Sequence, residues 1–271
     1  MIDTHQHYWD LSRFTYRWIQ PDTILARNYH PDDALPLMQT ASVRQCVTVE
    51  AGADQAEELV WLLELAAAHD HIAGVVGCIN LTGDVSATLA ALPAQHQQWL
   101  KGVRINIMDP AADYSRLDNG LQALAAQQLT CDLLMRPAAL PQAAALIQAH
   151  PNVMFILDHF AGGRITPGGH TAWQQAVAPL ADLPNTVLKV SGYLTAADPM
   201  PPTLDTLNAY FDCALALFGT ARLMYGSDWP VCLSGGSYQA SVDNLKSLIG
   251  ALSPDEQADI TERTAIKTYR L

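Results

Sequence analysis

Two His-X-His triplets, His5-Gln6-His7 and His69-Asp70-His71, are the residues most ready to do chemistry in this chain. On a β-strand, side chains two residues apart point to the same side. Such a triplet can therefore hold two imidazoles together as a metal-binding or carbonyl-polarising pair. With 9 histidines in 271 residues, chance alone supplies roughly 0.3 triplets, so the spacing is not diagnostic by itself. The elements that carry each triplet must decide between them.

Short apolar, β-rich runs alternate with helical patterns along the whole chain. Strands are expected near 2–7, 44–51, 73–80, 102–107, 131–136, 153–159, 187–192 and 223–228. Between them, the stretch 54–68 puts Leu59, Leu62, Leu63 and Ala66 on one face. The stretch 203–218 repeats Leu204, Leu207, Phe211, Leu215 and Phe218 at helical spacing. Ser253-Pro254-Asp255-Glu256 reads as a capping box with proline at the first helical position. Pro151-Asn152 closes the helix that ends near His150. Eight strand–helix units roughly 30 residues apart imply parallel strands with helical crossovers. The predicted fold class is α/β, a single (β/α)8 TIM barrel spanning residues 1–271 as one domain. No G-x-G-x-x-G follows the first strand and no G-x-x-x-x-G-K occurs, which weighs against nucleotide-binding folds.

In such a barrel, chemistry collects at the C-terminal ends of the strands and stability at the N-terminal ends. His5 and His7 close the first strand, with Asp3 expected on the same inward side. His69 and His71 follow the second helix and precede the third strand, on the opposite face, where cations suit a helix C-terminus. The first triplet is thus the functional candidate. By the same rule the sixth strand contributes His159 after Asp158, the eighth Asp228 before Trp229, and the fourth Arg104. Each has a structural reading: a hydrogen-bonded core histidine for His159, a turn cap for Asp228, a barrel ion-pair partner for Arg104. Their joint placement favours one site.

The net charge of −12 argues against nucleic acid or an anionic membrane as the main partner. It leaves room for an anionic substrate bound by clustered arginines. Cysteines 46, 78, 131, 213 and 232 are scattered without a C-x-x-C, the pattern of reduced core thiols rather than a disulfide framework or zinc cluster. No apolar run approaches the roughly 18 residues of a membrane span. The chain enters structure at Ile2 without a signal-like segment, so a cytoplasmic protein acting on a small molecule is expected. Apolar outer helices serve packing and subunit contact alike, so the oligomeric state is not legible.

Several blocks carry a resemblance: Ile2-Asp3-Thr4-His5-Gln6-His7-Tyr8-Trp9-Asp10, Tyr16-Arg17-Trp18, Leu100-Lys101-Gly102-Val103-Arg104, Leu157-Asp158-His159, Lys189-Val190-Ser191-Gly192 and Gly226-Ser227-Asp228-Trp229-Pro230-Val231-Cys232. Together they resemble the amidohydrolase superfamily, in the TIM-barrel branch that contains sugar and aromatic-derived lactonases. The resemblance implies that His5, His7 and Asp228 surround the reacting carbonyl, with His159 supporting them and Asp228 as general base. It implies substrate contacts from Tyr16, Trp18, Arg104 and Tyr193. Trp229 is a further aromatic group at the expected mouth. The chain departs from binuclear members, because Arg104 and Met135 stand where those present ligands. One divalent ion, zinc foremost, held by His5, His7, His159 and Asp228 is implied; some lactonases of this branch work without metal. The expected reaction is hydrolytic opening of a lactone, a sugar-acid lactone foremost. The alternatives are metal-dependent decarboxylation of an aromatic or unsaturated acid, and a non-catalytic barrel that binds a metabolite.

Overall fold

The computed structural model describes residues 1–198 and 200–271. Its single sheet has eight strands in sequential order: β1 (Ile2–Gln6), β2 (Gln45–Val49), β3 (Ile72–Gly77), β4 (Leu100–Ile107), β5 (Thr130–Met135), β6 (Phe155–Leu157), β7 (Thr186–Val190) and β8 (Leu223–Tyr225). Every neighbouring pair from β1 to β8 is parallel. Helices pack outside, so the strands are buried on both faces and read as near-continuous apolar runs. This is the (β/α)8 barrel expected from the alternation.

Several strands stop short of their expected C-terminal ends. His7, His159 and Asp228 have left the ladder, because their backbones turn across the barrel mouth. The helix Glu58–Ala68 starts later than its apolar pattern, after turns over residues 54–57. Leu204–Phe218 matches its pattern, and the Thr203 hydroxyl accepts from the Thr206 N–H at its start. Ser253 and Glu256 form the reciprocal capping box. Among the described residues, no helix is long and apolar enough to cross a membrane.

The larger core lies between strands and helices and includes Leu62, Leu63, Val103, Leu133, Leu157, Leu188 and Leu223. Each such buried side chain contributes about 1.5–3 kcal/mol. A second apolar cluster, on the barrel axis, comprises Val47, Val49, Val76, Ile156, Val187, Met224 and Tyr269. It forms the floor beneath the mouth.

One expectation fails here. Asp3 pairs with Cys46 and Gln6 with Thr48, so β1 advances three residues while β2 advances two. This bulge reverses the facing of the strand. Asp3 turns outward and accepts from Tyr238 Oη (3.2 Å) on the helix Tyr238–Ile249, while His5 and His7 face the axis. Closure between β8 and β1 is made mostly beyond the end of β8. His7 N–H donates to the Trp229 carbonyl (2.7 Å) and Asp228 N–H to that of His5 (2.9 Å). Ser227 N–H donates to Asp3 Oδ1 (2.8 Å), and Thr4 Oγ1 to the Tyr225 carbonyl (2.6 Å).

Candidate active site

His5, His7, His159 and Asp228 meet at the mouth. The Val49 carbonyl, 2.9 Å from His7 Nδ1, can only accept, so Nδ1 carries the proton and Nε2 presents a lone pair. His7 Nε2 stands 3.1 Å from His5 Nε2 and 3.3 Å from Asp228 Oδ1. The same carboxylate oxygen lies 3.8 Å from His5 Nε2 and 4.0 Å from His159 Nε2. The four residues come from three strand ends, and Asp3, facing outward, fastens the loop that carries Asp228.

Backbone of low intrinsic stability places two of them. His159, Phe160 and Ala161 have φ of 54°, 50° and 54°, and Gly162 follows at 71°, making a left-handed turn. Asp228 is left-handed too, at 61°. Outside glycine this conformation costs roughly 1–2 kcal/mol per residue. Trp173 Nε1 donates to the Phe160 carbonyl (2.8 Å) and His159 N–H to Ser191 Oγ (3.2 Å), which hold the turn. Gly192 has φ of 70°, and a Cβ there would lie 2.6 Å from His159 Nδ1, so the imidazole needs a glycine beside it.

Beneath this cluster lies a layer of buried charge. Lys189 Nζ donates to Asp132 Oδ2 (2.6 Å) and lies 3.2 Å from His5 Nδ1 and 3.0 Å from Asp158 Oδ1. Tyr269 Oη donates to Asp132 Oδ2 (2.6 Å) from the floor. All these groups are fully or almost fully buried. A cation between two carboxylates offsets the desolvation that either charge alone could not bear.

Electrostatics separate the groups at the mouth. Burial pushes His5 well below the ordinary imidazole value, and the Lys189 ammonium adds to this. Burial likewise lowers His159. Both rings are therefore neutral near pH 7 and able to ligate or accept. Burial alone would raise Asp228, but the adjoining imidazoles, His159 first, outweigh it and bring the carboxyl to about 2. Burial opposes ionisation of Asp158 as well, and Lys189 overrides it, holding that carboxyl well below its usual range.

The side of the mouth above β2 and β4 forms a second polar group. Arg104 donates through Nε to Glu50 Oε1 and through Nη2 to the Glu50 carbonyl (2.7 Å), as its ion-pair reading foresees. Burial works against the guanidinium charge, but Glu50, Asp158 and Asp228 outweigh it and raise its pKa. Glu58 accepts from the Ala51 N–H (3.1 Å), and burial with the nearby Glu50 pushes its carboxyl up to about 7. The buried Tyr16 hydroxyl adjoins Glu58 without a well-formed hydrogen bond. Trp18 is 41% exposed, its indole donating to the Ala51 carbonyl (2.6 Å).

Two expected mouth residues lie elsewhere. Tyr193 is buried and donates its hydroxyl to the Ser241 carbonyl (2.7 Å). Trp229 is buried edge-to-face against Tyr8 and Tyr29. Both residues pack behind the cluster rather than over it, because the chain leaving each strand end folds these large rings inward to fill the layer beneath the helices. Sequence reasoning missed Glu50, Glu58, Asp132 and Tyr269, and it gave Lys189 and Ser191 no role. Asp132 and Lys189 did leave a signal: each is a charge inside an apolar strand run, which a buried strand tolerates only when paired.

The donors at the mouth suit one divalent ion. Ligand atoms of His5, His7 and Asp228 all lie within 4.8 Å of one another, as do those of His5, Asp158 and His159. Two nitrogens bound tetrahedrally to zinc stand about 3.3 Å apart, close to the 3.1 Å between His5 Nε2 and His7 Nε2. The Asp158 carboxylate belongs to the Lys189 ion pair, which leaves the His5, His7 and Asp228 set, with His159 beside it, as the better-suited group.

The chain matches the amidohydrolase family over residues 2–271. Two L-fucono-1,5-lactonases, from Burkholderia ambifaria and Burkholderia multivorans, are 32% and 33% identical to it. These alignments cover all of this chain and 95% and 96% of the relatives. The crystal structure of an amidohydrolase from Burkholderia multivorans with bound zinc superposes with a TM-score of 0.91 at 31% identity, covering 100% of this chain and 99% of that one.

Proposed function

The chain belongs to the amidohydrolase family, and on that premise we propose that it is a hydrolase that opens a lactone ring, with sugar-acid lactones as its substrate class. The observation that carries this reading is the convergence of three imidazoles and an ionised carboxylate at the barrel mouth, in a chain whose full-length relatives include two L-fucono-1,5-lactonases.

Asp228 acts as general base: it takes a proton from water as the oxygen attacks the ring carbonyl, then returns it to the leaving alkoxide. A carboxylate held at about 2 is a weak base toward bulk water, so Asp228 works best on a water whose acidity is raised. His5, His7, His159 and Asp228 would hold one divalent ion, zinc foremost, which when bound would supply that acidity and polarise the carbonyl. His7 is oriented for this by the Val49 carbonyl and His159 by Ser191. Arg104, whose Nη1 has no hydrogen bond to a described residue, faces the developing oxyanion or a ring hydroxyl. Trp18 offers an indole face to the apolar side of a sugar ring. The five free cysteines accord with a reducing cytoplasm, where we place the enzyme.

The test is metal analysis of the purified protein, with a lactone-hydrolysis panel before and after chelation. Activity that leaves with the ion and returns with zinc supports the whole reading. Activity that survives in metal-free protein retains the lactonase and removes the metal. No turnover of any lactone in either state overturns the function, and release of carbon dioxide from a carboxylated substrate would replace it with decarboxylation.

A further inference from the structure

His5 Nδ1 has two neighbours with opposite demands. Lys189 Nζ, 3.2 Å away, can only donate; Asp158 Oδ1, 3.4 Å away and ionised, can only accept. A neutral imidazole has one proton to place. With that proton on Nε2, His5 Nδ1 accepts from Lys189, and Nε2–H points at the bare Nε2 of His7, 3.1 Å away. The two histidines then satisfy each other and present no free pair of ligand atoms. With the proton on Nδ1, His5 donates to Asp158, and its Nε2 lone pair joins those of His7 and Asp228. Lys189 keeps Asp132 at 2.6 Å in either case. The hydrogen bonds of the first state are complete, while the buried Asp158 has the Lys189 ammonium at 3.0 Å and no further well-formed hydrogen bond among the described residues. Asp158 Oδ1, which one donor leaves with a second lone pair, thus has room for the His5 Nδ1–H 3.4 Å away.

We propose that Lys189 and Asp158 are positioning residues that select the tautomer of His5. Lys189 stabilises a closed His5–His7 pair in the metal-free protein. Asp158 accepts the hydrogen bond from Nδ1–H when His5 Nε2 becomes a ligand. The ring stays neutral throughout; one proton moves across it, and the His5–His7 hydrogen bond breaks. Only the Asp158 half rests on the metal reading given above. The Lys189 half concerns the metal-free chain alone.

Long-range proton–nitrogen NMR on 15N-histidine-labelled, chelated protein reads the tautomers directly. The expected result is His5 protonated at Nε2 and His7 at Nδ1, with His5 converting to the Nδ1-protonated form on adding zinc. His5 already protonated at Nδ1 in the metal-free wild type overturns the Lys189 half, and needs no variant that must fold. For the Asp158 half, Asp158→Asn keeps the shape and removes the charge. Its zinc Kd, from competition with a chromogenic chelator, should rise about 10–100-fold. An unchanged Kd, or a wild type that binds no zinc, overturns that half while leaving the metal-free tautomer assignment to stand on its own result.

Discussion

The two His-X-His triplets are alike at close range and opposite in consequence. His5 and His7 meet edge-on with ring centroids 4.8 Å apart; His69 and His71 do the same at 5.7 Å. In the second triplet, however, His69 caps the helix Glu58–Ala68, its Nδ1–H donating to the Leu65 carbonyl (2.9 Å). Its Nε2 lies 3.7 Å from the exposed Asp32, and His71 Nε2 has no hydrogen-bond partner among the described residues. Among the described residues, no third ligand group joins these two rings at metal-binding distance. In the first triplet, two further strand ends bring Asp228 and His159 to the same point. The spacing makes a pair of rings in both places. Only the end of the barrel at which the pair sits brings other groups to it.

The sharpest way to break this contrast is at the group that only the first triplet possesses. Asp228→Asn should lower kcat for lactone opening by about 10²–10⁴-fold while leaving the far-ultraviolet circular dichroism unchanged. Turnover retained within a few-fold would remove Asp228 as the base. Next come matched deletions. His7→Ala should abolish stoichiometric zinc and cost at least about 100-fold in turnover, whereas His71→Ala should change neither. Zinc lost from the His71 variant, or kept by the His7 variant, would erase the distinction.

A smaller effect tests the wall of the mouth. The Glu58 carboxyl is raised to about 7 from an ordinary 4.5, so the fold favours its protonated form. Its contribution is full below pH 4.5 and is lost as pH rises through about 7, a loss of about 3 kcal/mol. Glu58→Gln should therefore flatten the decline of Tm between pH 4.5 and 7.5. A wild type and variant with parallel pH profiles would show that Glu58 titrates normally. Smallest is Trp18→Ala, expected to raise KM several-fold with kcat unchanged, since on the proposed reading the indole would touch substrate and not the reacting atoms. A fall in kcat alone would place it differently.

Much of this was legible because the physics is periodic. Eight apolar runs at even spacing leave few alternatives to a barrel, and the barrel rule then separates His5 and His7 from His69 and His71. The facing of Asp3 was not legible. A bulge inserts one residue without a local signature, and parity counting assumes an unbroken strand. Tyr193 and Trp229 failed for a related reason: a residue just past a strand end can turn into the mouth or under the helices, and packing far along the chain decides. The charged layer was half visible, since Lys189 and Asp132 break apolar runs, but pairing them requires knowing that β5 and β7 flank β6 and turn these two side chains toward each other. Tyr269 completes that layer from the last helical segment, and no local pattern ties it to Asp132.

The closure between β8 and β1 bears on how the molecule comes into being. Asp228 N–H reaches the carbonyl of His5, and Ser227 N–H reaches Asp3 across a separation of 224 residues. Bringing such distant segments together is entropically costly and slow. A chain with its other units folded and this contact unmade would have nearly native helix content and no assembled mouth. In refolding, catalytic competence should thus appear after the circular dichroism signal is largely recovered, and the delay between the two records the time the barrel takes to close.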